Sequence, residues 1–281
     1  MATMSESLRT RVGTLELKVP RTRDGGFSPS IFERYQRNEK ALLASILEMY
    51  VSGVSTRKVS KIVEELCGKS VSKSFVSSLT ELLDPMVTEW QNRSLSDTNY
   101  PYLMTDVLYI KIREDHRVLS KRCHIAIGIN EDGNREIIGF MIQNEESDVA
   151  WATLFEVFKE RGLQGIEFII SDVHKGLVSA IRKLAEMPST FLKEYPYDSK
   201  ACETLDDGFE DAFRYAVIGN GHHRLKSTNL LERLNQEIRR REKIIRIFPN
   251  RASANRLIGA VLMDFHDEWL SSTRKYIKFE H

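Results

Sequence analysis

Three carboxylates in this chain fall where a strand or a helix would hold them in place. Asp106 lies near the start of TDVLYIKIR and Asp172 closes EFIISD. Period-two alternation puts Met104, Asp106, Leu108, Ile110 and Ile112 on one strand face, and Ile166, Phe168, Ile170 and Asp172 on another. A carboxylate among apolar side chains is costly unless a partner or a cation neutralises it. Glu232, in the first turn of a later helix, is a third candidate ligand. Three such groups suit a two-metal site of Mg²⁺ (or Mn²⁺) ions about 3.5–4 Å apart, which activates an attacking oxygen and neutralises charge on a phosphate. On this reading Asp106 bridges both ions, Asp172 completes one position and Glu232 the other.

Each carboxylate also has a plainer reading. Asp106 could bond a turn, Asp172 could cap the helix after SDVHKG, and Glu232 could complete a capping box opened by Asn229. His174 reads as a polar loop residue. Asp206, Asp207, Glu210 and Asp211 read as the solvated face of an acidic helix around 203–216.

The net charge of +1 conceals segregation: residues 222–251 carry nine Lys/Arg against three Glu (9 − 3 = +6), and residues 128–172 three against ten acids (3 − 10 = −7). Arg239, Arg240, Arg241 and Lys243 share the helix of Glu232, and so many like charges repel unless an anion neutralises them. Arg239 lies seven residues, or two turns, beyond Glu232 on the same face, where it could hold a phosphate. Ser227, Thr228 and Asn229 could offer backbone N–H groups to phosphate as well. This layout points to double-stranded DNA as partner, although alternating charged surface helices would give a similar balance.

The elements that must position these groups are partly legible. RVGTLELKV (11–19) alternates like a strand and stops at the basic turn that begins at Pro20. Helices are expected at about 38–51, from Ser55 to Cys67-Gly68, and from Ser70 or Ser72 through KSFVSSLTELL to Pro85. This trio resembles a helix-turn-helix unit that would present Arg57, Lys58, Ser72, Lys73, Ser74 and Ser77 to DNA. A helical linker or dimerisation element would look similar. QNRSLSDTNYP (91–101) reads as a linker. Strands are expected next at 102–113, 119–130 and 135–143, the last two joined by a turn at 131–134. Then come a helix at about 148–161, a strand at 166–171 and a helix at about 176–187. The order β-β-β-α-β-α opens an RNase H-like mixed sheet. Two final helices are expected, one running from about Leu230 to Phe248 and one over 252–269.

Expected regions are a basic strand and turn segment (1–30), a helical DNA-binding region (31–92) and an α/β catalytic domain (98–281). Cys67, Cys123 and Cys202 are scattered, which argues against a disulfide framework or structural zinc and fits a reducing cytosol. No run reaches the ~18 apolar residues of a membrane span, and the N-terminus lacks an apolar signal core. The expectation is a cytoplasmic protein with no membrane partner.

The strings VPRTRDGGFSPSIFERYQR, MYVSGVSTRKVSKIVEEL, the Asp106 strand, SDVHKGL and STNLLERLNQEIRRREKIIRIFPN resemble Mutator-type bacterial insertion-sequence transposases with a DDE triad. The resemblance spans nearly the whole chain. It implies that Asp106, Asp172 and Glu232 form the triad and that Arg239 is the basic residue seven positions after the glutamate. It further implies recognition of terminal inverted repeats, metal-dependent end cleavage, joining to target DNA and action as a homo-oligomer. Compared with the family pattern, the chain starts late. The interval from Asp172 to Glu232, 232 − 172 = 60 positions, is short by several tens of residues, which places a shortened insertion at about 185–221. A catalytically impaired, DNA-binding remnant is the alternative this raises. An unrelated RNase H-like nuclease is the third reading.

Overall fold

The computed structural model describes residues 2–10, 13–21, 40–68, 71–145, 147–171 and 229–277. They fall into two units, Met1–Met86 with Arg240–Arg246, and Val87–Arg239 with Ile247–His281. The turn at 22–26, Asp172, His174, the expected helix at 176–187, the acidic cluster at 203–216, Cys202, Ser227 and Thr228 lie outside the described residues.

In the first unit β1 (Ala2–Thr10) pairs antiparallel with β2 (Gly13–Arg21), Thr10 opposite Gly13 and Leu8 opposite Leu15. Alternation announces β2 but not β1, whose ATMSESLRT is mostly polar; the pairing itself makes it a strand. Helices α1 (Lys40–Val51), α2 (Thr56–Cys67) and α3 (Lys73–Thr80) come next. Ser55 and Ser72 cap α2 and α3, accepting hydrogen bonds from the N–H groups of Lys58 and Phe75, so the serine that opens α3 serves the helix itself. Leu42, Ile46, Val59, Val63, Cys67, Val71, Val76 and Leu79 form the core of the trio. Thr14 donates to the carbonyl of Cys67 (3.3 Å), tying the hairpin to α2. Gly53 has φ +86°, and an added Cβ would lie 3.0 Å from Cγ of Arg241. Arg241 Nε in turn donates to the carbonyl of Val51 at 2.8 Å, satisfying a group at the end of α1.

The third helix does not run on to Pro85. It stops at Thr80, and a fourth, α4 (Leu83–Gln91), takes Pro85 into its first turn, where the missing N–H breaks no helical bond. The segment 91–101 is packed rather than a free linker. Leu95 and Tyr100 are buried, and their N–H groups donate to the carbonyls of Arg161 (2.7 Å) and Gln164 (3.1 Å).

The second unit is built on a sheet of order β5-β4-β3-β6: β3 (Tyr102–Glu114), β4 (Arg117–Ile129), β5 (Arg135–Gln143) and β6 (Phe168–Ser171). The first three run antiparallel in sequence, and β6 lies parallel to β3 with Tyr102 opposite Phe168 and Thr105 opposite Ser171. Asp115 and His116 both have positive φ, the two-residue geometry that suits hairpin twist. Gly133 (φ +80°) closes the next hairpin, and an added Cβ would overlap the carbonyl of Ile277. α5 (Asp148–Glu160) lays Trp151, Leu154, Phe155 and Phe158 on the sheet face of Leu103, Ala126 and Ile138. α6 (Asn229–Ile245) and α7 (Arg251–Ser271) complete the described chain. α7 lies on the opposite face, where an added Cβ at Gly259 would clash with Val87 and touch Phe140. It starts with a capping box between Asn250 and Ser253.

Helix α6 ends at Ile245, three residues short of the expected Phe248. Arg246 turns the chain with φ +61°, and Phe248 forms a parallel bridge to Ile112. Its N–H donates to Lys111 O (2.8 Å), and its carbonyl accepts from Arg113 N (2.9 Å).

The outer edge of β5 is covered by side chains. Arg93 donates to Ile137 O, Gln91 to Phe140 O (3.5 Å) and Arg251 to Ile142 O. An edge whose carbonyls are taken cannot template another strand.

Candidate active site

Strand β3 places Asp106 by phase. Met104, Leu108, Ile110 and Ile112 on its face are buried, as the alternation requires, and Asp106 is half-buried among them. Its Oδ1 accepts the N–H of Val107 at 2.7 Å. Its Oδ2 accepts the side-chain amide of Asn235 at 2.6 Å. The carboxylate is therefore oriented from two directions, by its own strand and by α6. Asp106 stands one residue beyond Thr105, where the described pairing with β6 stops. The ends of parallel strands are where open α/β sheets bind ligands.

Glu232 is exposed in the first turn of α6, which begins at Asn229. Asn235, one turn later, is buried with the apolar stripe of Leu230, Leu231, Leu234 and Ile238. An amide in that stripe, three residues after the glutamate, is the signal from which the sequence could have identified Asn235 as part of the site. Oδ1 of Asn235 is buried and finds no hydrogen-bond partner among the described residues. The amide orientation follows from the carboxylate, which can only accept.

Among the described residues no three His, Cys, Asp or Glu side chains are close enough together to hold a metal ion. The oxygens present are those of Asp106, with the orphaned amide oxygen of Asn235 beside it. Such hard donors fit Mg²⁺ or Mn²⁺ and not a soft metal.

The candidate DNA contacts are spread over both units. Arg57, Lys58, Lys73, Ser74 and Ser77 are exposed on α2 and α3 or close to it. Arg239, Arg240 and Lys243 are exposed on α6, and Arg241 is half-buried in its bond to Val51.

Burial also displaces titrations away from Asp106 and Glu232, at Tyr100, Tyr102, Arg93, Arg161 and His266. Burial and the adjacent Glu136, which accepts its hydroxyl at 2.9 Å, raise the pKa of Tyr100. Burial and Arg93 lower Arg161 to about 10 and His266 to about 4.

The family model for "Transposase, Mutator family" matches residues 2–190 and 183–272, and the chain belongs to that family. It is 66% identical over 322 residues to the transposase for insertion sequence element IS256 in transposon Tn4001 from Staphylococcus aureus, covering 98% of this chain and 83% of that protein. It is 38% identical to the transposase for insertion sequence element ISRM5 from Rhizobium meliloti, covering 98% and 80%. It is 32% identical to the transposase for insertion sequence element IS1081 from Mycobacterium tuberculosis, covering 96% and 77%. The first match runs over more residues than the chain contains, 322 − 281 = 41. The family model matches in two stretches that overlap at 183–190, between Asp172 and Glu232, so the shortfall is internal.

Proposed function

We propose that this chain is an insertion-sequence transposase that binds terminal inverted repeats and carries out metal-dependent strand cleavage and strand transfer. Asp106, Asp172 and Glu232 are the metal ligands of a DDE triad on an RNase H-like sheet. The observation that carries this reading is the 2.6 Å bond from Asn235 to Asp106, which ties the helix of Glu232 to the strand of Asp106. Two bound Mg²⁺ or Mn²⁺ ions would activate the attacking oxygen and take up charge on the scissile phosphate. The chain's own residues bind and orient. Val107 and Asn235 fix the Asp106 carboxylate, and Arg239, exposed two turns beyond Glu232, grips a phosphate flanking the cut. Arg57, Lys58, Lys73 and Ser74 form the helix-turn-helix surface that reads the repeat, with Arg240, Arg241 and Lys243 adding charge along α6. A homo-oligomer in the cytoplasm would pair two element ends.

The internal shortfall, at least 41 residues, favours a second reading, a protein that keeps specific DNA binding without the chemistry. A strand-transfer assay with labelled element-end DNA and Mn²⁺, comparing wild type with Asp106→Asn, separates the two. Products that vanish in the variant support the enzyme. A specific gel shift with no product supports the remnant.

A further inference from the structure

We infer that Asn235 is a positioning residue for metal binding, kept in the core at a cost to stability. The inference rests on the reading of Asp106 and Glu232 as ligands.

The residue is out of place for folding alone. It occupies the buried stripe of α6 and is only 8% exposed. A leucine would suit that stripe better, because the amide buries an oxygen with no partner among the described residues. Leaving a buried acceptor unsatisfied costs about 1–3 kcal/mol. What the amide provides instead is one short hydrogen bond to Asp106 Oδ2.

That bond has two effects on the site. It completes the orientation of the carboxylate, since Val107 N–H holds Oδ1 and Asn235 holds Oδ2. It also fixes the α6 backbone on β3 one turn after Glu232, which sets the reach of the glutamate toward Asp106. Removing the amide takes the Oδ2 partner from the carboxylate and loosens the spacing between two ligands. Partners that orient metal ligands typically change affinity by about 10–100-fold when lost.

The test is Mn²⁺ titration of the full-length chain, reading free ion by electron paramagnetic resonance, with thermal midpoints measured in EDTA. Wild type, Asp106→Asn, Asn235→Leu and Asn235→Ala are compared. Both Asn235 variants should bind Mn²⁺ about tenfold more weakly, while the midpoint of Asn235→Leu in EDTA equals or exceeds that of wild type. Should Asn235→Leu not fold, Asn235→Ala is titrated below its own midpoint. Affinity within about twofold of wild type in the folded variants overturns the inference. So does weaker binding that merely tracks a fall in both midpoints. Wild type binding no better than Asp106→Asn means the ligand reading itself is wrong, and the inference falls with it.

Discussion

Thr105 faces Ser171 across the parallel strands β3 and β6, and each immediately precedes an aspartate, Asp106 and Asp172. The proposed chemistry requires that register to continue by one residue. Asp106→Asn and Asp172→Asn should then each lower strand transfer by on the order of 10³-fold, and the double variant should be no worse than either. Single-turnover strand transfer measures this. A double variant markedly worse than both singles would show that the two groups act separately.

Two arginines on α6 should behave differently. Arg239 is exposed, whereas Arg241 donates to the carbonyl of Val51. Arg239→Ala should weaken binding to any DNA and reduce the slope of log affinity against log salt by about one. Arg241→Ala should lower stability by about 1 kcal/mol through the lost carbonyl partner. Binding isotherms at several salt concentrations, with thermal melts alongside, distinguish these effects.

Gly53 is pinned by conformation and by crowding. At φ +86° an alanine is strained, and its Cβ would press on Arg241. Gly53→Ala should destabilise by about 1–2 kcal/mol. Chemical denaturation with an unchanged m value would register it.

His266 gives the fold a pH dependence. Burial and Arg93 lower its pKa to about 4, and its ring meets Trp90 edge-on at 5.7 Å. The neutral ring is the folded form. Its contribution is complete above the unfolded value of about 6.5 and declines as pH falls toward about 4, where the folded protein also takes the proton. Allowing for solvent screening, the loss should be on the order of 2 kcal/mol. Stability curves from pH 7 to 4.5 should be flatter for His266→Gln than for wild type.

The sequence revealed what its periodicity encodes. Strands β3, β4 and β5, helix α5 and the first two helices of the trio lie within a few residues of expectation, because burial on one face imposes a regular pattern. The strand phase of Asp106 was legible for the same reason. Features fixed by partners far along the chain were not. β1 is too polar to announce itself and exists through β2. Phe248 leaves the helical pattern because Ile112 offers a bridge 136 positions away (248 − 112 = 136). In sequence, Asn235 shows as an amide within an apolar stripe, but that its partner is Asp106 is set by the fold. The two-residue turn at Asp115-His116 lacks the glycine by which such turns are usually recognised.

The side chains over β5 make the sheet asymmetric. Arg93, Gln91 and Arg251 occupy its outer carbonyls, and all three belong to the same unit as the strand they cover. The difference in length from the relative, at least 41 positions, falls in sequence between β6 and α6. One margin of this sheet is thus covered from within its own unit, by residues that all lie outside the stretch where chain length differs. Deletion there strips no partner from the sealed margin, so the outer strands can keep their hydrogen bonds whether or not the chemistry survives.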